Sequence, residues 1–155
     1  MASIQEMIDK LQKVNFNDLL DESVMATKDA ILNHNRMQLL FGKATDGSKL
    51  GTYAWDSYAD FKAKYVASYQ APYGTYNFDL HGDFQSAMYV RALLTSYEIS
   101  STDSKTGYLE SLAGGGNIKL GGERTFGLSE EDLRDYAQTN VKPELQKRLR
   151  TTLNI

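Results

Sequence analysis

Asn77-Phe78-Asp79-Leu80-His81-Gly82-Asp83-Phe84, running on to Val90, decides how the rest of the chain is read. Phe78 and Leu80 alternate with Asp79 and His81, the period of two expected of a half-buried strand. Gly82 interrupts that period. Asp83 then offers a short side-chain oxygen to cap a helical turn carrying Phe84 and Ala87. Met88 to Leu94 and Tyr97-Glu98-Ile99-Ser100 follow as strand-forming runs, and Ser101 to Thr106 as a turn-rich connection. Later, Phe126-Gly127-Leu128-Ser129-Glu130-Glu131-Asp132 predicts a loop closing onto a helix N-cap, a hydroxyl followed by three acids. Neither stretch carries a nucleophile, a metal cluster or a phosphate cradle.

Upstream the period is helical. Ile4, Met7, Ile8 and Leu11 predict an amphipathic helix over 3–13, an arm formed by residues 1–14. Asn15 or Asn17 caps a longer helix whose stripe is Leu20, Val24, Thr27 and Ile31, broadened by Met25, Leu32 and Leu39. Gly42 is its expected stop. Asp46-Gly47 predicts a tight turn, and Ser57 a cap for a helix over 58–69 with Tyr58, Phe61 and Tyr65 on one face.

Downstream, Tyr108 to Leu112 reads as strand or helical turn, and Ile118 and Leu120 as a very short strand. Leu133, Tyr136 and Ala137 form the apolar face of the last helix. Pro143 lacks an amide donor and disfavours helical geometry at Lys142, so a break or kink is expected there. Leu145, Leu149 and Leu153 continue beyond it. The chain thus reads as one domain over 1–155, with strands around 77–100, a long N-terminal helix and a C-terminal helix broken or kinked near Pro143.

A chain of 155 residues without cysteine excludes disulfides, thiol catalysis and cysteine-held zinc. Its formal charge of −3 gives no global attraction to nucleic acid. The first residues lack the basic and apolar regions of a secretory signal, and no run is long enough to span a membrane. Ten tyrosines and six phenylalanines accompany two prolines, a balance that suits half-buried strands and also protein interfaces.

Chemistry-bearing residues are sparse. His81, Asp83 and Ser86 crowd one turn, which reads as structural polarity or, alternatively, as a small hydrolase site. His34 lies at the edge of a helical stripe and reads as a packing or surface residue. Asp46 and Asp56 lack the calcium-loop pattern, and Glu130 and Glu131 suit the helix dipole. Neither Gly42-Lys43, Gly47-Ser48-Lys49 nor Gly114-Gly115-Gly116 meets the P-loop pattern. No metal or cofactor is expected. Lys142, Lys147, Arg148 and Arg150 form a local basic face that suits solvent at a helix end, or contact with an acidic subunit or DNA passing nearby.

In order, Met37-Gln38-Leu39-Leu40-Phe41-Gly42-Lys43-Ala44-Thr45-Asp46-Gly47, the Tyr- and Lys-rich stretch Tyr53 to Tyr65, Phe78 through Met88, and Phe126-Gly127-Leu128-Ser129-Glu130 resemble the virion-morphogenesis or tail-completion proteins of tailed bacteriophages. The likeness covers about residues 30–155. His81 stands where that family usually has threonine before the glycine. The resemblance implies a non-enzymatic α+β subunit with an antiparallel sheet, forming a homo-oligomeric ring at the head–tail neck. It implies portal, connector and tail proteins as partners, no membrane, and a place in a virion assembled in the host cytoplasm. Tyr69, Tyr73, Tyr76 and the Gly114, Gly115, Gly116 loop are the expected subunit interface. The alternative of another class is a soluble adaptor that binds a partner by strand addition.

Overall fold

The computed structural model describes residues 3–79, 81–94, 96–107 and 125–154. The elements whose bounds lie within them are six helices and one antiparallel hairpin, a mixed α+β arrangement. The helices are α1 (Ile4–Lys13), α2 (Phe16–Ala26), α3 (Lys28–Leu40), α4 (Asp56–Tyr65), α5 (Asp83–Ser86) and α6, which spans 130–153. The strands are β1 (Met88–Ala92) and β2 (Tyr97–Ser101). The strand or helical turn expected at Tyr108 to Leu112 and the very short strand at Ile118 and Leu120 lie outside the described residues, as does Leu80.

The N-terminal helix forms where its pattern placed it. Ser3 and Glu6 satisfy each other's backbone amides in a capping box, at 3.2 and 2.7 Å. None of its residues is buried, and Lys10 Nζ reaches the Leu153 carbonyl at 3.1 Å. The long helix expected after it is instead two. Asn15 caps α2, but the chain breaks at Thr27, whose φ is −108° and ψ 18°. Its Oγ1 lies 2.9 Å from the Ser23 carbonyl and 2.8 Å from the Tyr136 hydroxyl, so side chain and partner together hold the bend. At the far end Gly42, at φ +70°, turns α3 off: its N–H donates to Leu39 and that of Lys43 to Gln38.

Among its described residues, the strand expected at 77–81 does not form. Tyr76, Asn77 and Phe78 are buried in succession, which no two-faced strand allows, and Phe78 is left-handed at φ +53°. Side chains take the backbone groups that a neighbouring strand would use. Asn77 Oδ1 accepts from the Asp79 amide at 3.3 Å, and Gln85 Nε2 donates to the Asn77 carbonyl at 3.3 Å. Gly82, at φ +81°, is the N-cap of α5, one residue before the expected Asp83. Among the described residues the sheet is thus the β1–β2 hairpin alone.

That hairpin joins two cores. Leu32, Leu39, Leu50, Tyr76, Phe78, Phe84 and Met88 make one, and Val24, Ile31, Tyr136 and Val141 the other. Val90 and Ile99, opposite each other in register, pack against both. The base of the hairpin is pinned by Ser101 Oγ on the Phe84 carbonyl at 3.0 Å and by the Thr102 N–H on Ala87 at 3.1 Å.

Ser129 caps α6 as expected, accepting from the Asp132 amide at 3.2 Å. The helix does not break at Pro143; the irregularity expected there is a π turn just before it. After Glu130–Tyr136 the helix widens into a π turn, Ala137–Val141, and resumes as Lys142–Leu153, with Lys142 helical at φ −59° and ψ −47°. A proline clashes with the carbonyl four residues back and leaves it without a donor; a turn closed five residues back opens the ladder at that place. The same turn brings Tyr136 and Val141, five apart, into one buried cluster. Arg148 then ties α6 to α2 through Glu22 at 2.6 Å.

Candidate functional site

The chain's chemistry concentrates around α4. The helix starts at Asp56, not after Ser57, and ends at Tyr65; its N-cap, Trp55, makes no side-chain cap bond. Ala59 and Lys62, three apart, face the interior, which leaves Tyr58, Phe61 and Tyr65 on the outer face. From that face a ladder of rings runs inward. Tyr65–Phe61, Phe61–Tyr58, Tyr58–Tyr53 and Tyr53–Tyr76 have centroids 5.7, 5.9, 4.9 and 4.7 Å apart. It continues through Phe78 and Phe84 to Phe126.

Beside the ladder lies a cavity of about 390 Å³. Tyr53, Tyr58, Tyr76, Phe78 and Phe84 form its walls, with the exposed Ala54 and Trp55 on its outer side. Asp79, His81, Asp83, Asp103 and Lys105 supply its polar rim. Lys62 also lines it, although only 1 % exposed. Its ammonium donates to the Asp79 carbonyl and lies 5.7 Å from the Tyr69 ring centroid. Burial pushes its pKa down, and the Asp79 carboxylate partly opposes that. Burial raises the phenols of Tyr53 and Tyr58, the former also through neighbouring phenols, so both keep their protons. The result is a socket with neutral aromatic walls, one buried lysine and a largely acidic edge.

Of the residues singled out for a hydrolase, His81 and Asp83 share the cavity edge. Ser86 Oγ instead donates to the Asp83 backbone carbonyl at 2.9 Å, inside its own helical turn. His34 packs between α3 and α6, edge-on to Tyr136, with its ring nitrogens 3.9 and 3.8 Å from the carboxylates of Asp132 and Asp135. Among the described residues no group of three or more histidines and carboxylates could hold a metal ion, and no helix is long and apolar enough to cross a membrane.

The expected interface residues separate. Tyr76 is a core residue, edge-on to Tyr53 and stacked on Phe78, and is presented only as a wall of the cavity, not on the outer surface. Tyr69 closes its own loop through the Pro72 and Thr75 carbonyls at 2.8 and 2.9 Å. Tyr73 is exposed and donates to Asp60 at 2.5 Å. Gly114, Gly115 and Gly116 lie outside the described residues. Of the basic face, Arg148 is held by Glu22 and Glu144, Lys147 pairs with Glu144 at 3.5 Å, and Lys142 reaches Gln138 at 3.4 Å. Arg150 is exposed.

Two features escape a linear reading. A lysine at position 62 gives no sign of burial until its helix is docked. Leu93 and Leu94, read as the end of a strand, sit in the β1–β2 loop, 48 % and 103 % exposed, where the Leu93 N–H donates to the Ser96 carbonyl at 2.8 Å. The available signal was the pairing of Arg91 with Glu98, opposite charges that fall across from each other only if the chain turns between them.

Compared with family models, with curated proteins and with solved structures, the chain matches none.

Proposed function

We propose that this chain is a non-enzymatic assembly subunit, forming a homo-oligomeric ring at the head–tail neck of a tailed-phage virion. The observation that carries the assembly reading is the apolar surface left uncovered by a fold whose cores are already built. Trp55, the N-cap of α4, is 74 % exposed, and Phe61 and Tyr65 on that helix are 42 % and 66 % exposed with their ring centroids 5.7 Å apart. Large apolar groups grouped on one element of a monomer mark contact surfaces. The order of motifs along the chain supports the place in the virion, with connector and tail proteins as neighbours. The alternative, an adaptor working by strand addition, draws on the two-stranded sheet, each strand of which has an unpaired edge among the described residues.

Mass determination across micromolar to millimolar concentration, with electron micrographs of the same sample, tests the reading. Closed rings, alone or on addition of connector and tail proteins, are expected. A monomer under all these conditions overturns it.

A further inference from the structure

We propose that the assembly is head-to-tail, with the Leu93–Leu94 hairpin tip of one copy seated in the aromatic cavity of the next. The inference rests on the assembly reading above and names its contact. Hairpin loops are ordinarily built from glycine, asparagine or aspartate, because those residues meet the turn geometry and tolerate water. This loop presents two leucines instead, Leu94 with its whole side chain in solvent. Its other described residues, Ala92 and Ser96, are uncharged and exposed, so the tip enters an apolar site without a charge to desolvate.

The matching feature is the 390 Å³ cavity, walled by the rings of Tyr53, Tyr58, Tyr76, Phe78 and Phe84 and open beside Ala54. That is the size and lining of a site for an apolar group. Both features belong to one copy but cannot meet within it. The base of the hairpin is bonded to Phe84, a wall of the cavity, and the tip lies at the opposite end. Met88 to Ala92 is a paired strand that holds the two about 13 Å apart or more. A knob and a socket fixed at opposite ends of one rigid element make a heterologous contact. Repeated, it gives a ring where the rotation closes and a filament where it does not.

The absence of cysteine makes the contact directly testable. Leu94→Asp and Ala54→Arg alter exposed side chains, so circular dichroism, and melting at concentrations where the parent is monomeric, should match the parent. Each variant should need about ten- to a hundredfold more protein to assemble, the loss expected from one leucine left unburied. Mixed together, the two should stop at heterodimers, since each keeps one working half. A chain carrying both Leu94→Cys and Ala54→Cys should oxidise to a ladder of multimers, whereas each single variant should yield no species beyond a dimer.

If the parent forms rings and both variants assemble as it does, with no ladder, the tip-and-socket contact is overturned while the ring stands. If both variants still assemble but lose capture of a connector or tail protein, the contact belongs to that partner and the proposal also fails. A parent that stays monomeric throughout overturns both readings.

Discussion

Asn35 and Gly127 close a two-way amide pair: Asn35 Nδ2 donates to the Gly127 carbonyl at 2.8 Å, and the Gly127 N–H donates back to Asn35 Oδ1 at 3.4 Å. Asn35 is wholly buried on α3, and Nδ2 also reaches the Thr125 carbonyl at 3.1 Å. One turn on, Gln38 bonds the same Gly127 carbonyl and accepts from the Ser129 amide at 2.8 Å. Two buried amides of α3 thus hold the segment that starts α6.

Removing that hold should be expensive. Asn35→Ala takes the partner from the Thr125 carbonyl and the Gly127 N–H, while Gln38 still serves the Gly127 carbonyl, and should lower stability by about 2–4 kcal/mol in urea unfolding. Asn35→Asp should cost more, because its carboxylate faces the same carbonyls. A loss below about 1 kcal/mol for either would show that the pair is incidental.

Gly42 and Gly47 make a matched comparison. Both have positive φ, +70° and +76°. A Cβ at Gly42 would stand 2.7 Å from Thr75 Cγ2 and 2.9 Å from Ala71 Cβ, whereas one at Gly47 meets open space. Gly47→Ala should therefore cost about 1–2 kcal/mol from backbone strain alone. Gly42→Ala should cost about 2–4 kcal/mol, as the core must also move. Equal melting shifts would contradict the packing difference.

Ser129 acts on α6 through its cap. Ser129→Ala should destabilise by about 1 kcal/mol, and Ser129→Thr should restore most of it by keeping the hydroxyl. Chemical denaturation of the three proteins checks this; an Ala variant as stable as the parent would leave the cap without weight.

Alkaline pH should unfold the chain through its phenols. Burial and a hydrogen bond to Asp21 push the Tyr97 pKa up to about 12, and burial raises those of Tyr53, Tyr58 and Tyr136 as well. The native state thus holds protons that the unfolded chain releases near pH 10. For Tyr97, stability is fully present below about pH 10 and falls as pH rises from there towards 12. Tyr97→Phe should flatten part of that fall without altering the neutral-pH slope. Tyrosinate absorbance followed alongside circular dichroism would show it, and an unchanged alkaline profile would remove Tyr97 from the account.

Local chemistry alone determined several parts of this protein. Ser3 with Glu6, Asn15, Gly42, the Asp46-Gly47 turn and Ser129 with its acids each satisfy backbone groups a few residues away, so their effect is readable in order along the chain. The amphipathic period of α1 and the strand runs of the hairpin were legible for the same reason.

Tertiary structure decided the rest. Whether 77–81 paired as a strand depended on Gln85 and Asn77 taking its backbone groups. The bend at Thr27 depended on Tyr136, more than a hundred residues away in sequence. The helix survived Pro143 because a π turn, with Tyr136 and Val141 buried on either side of it, opened the ladder. Which rings of the tyrosine-rich stretch face water was set by the docking of α4 through Ala59 and Lys62. Period and propensity act over a turn or two, whereas burial is a property of what packs against a face, and that is written in distant parts of the chain.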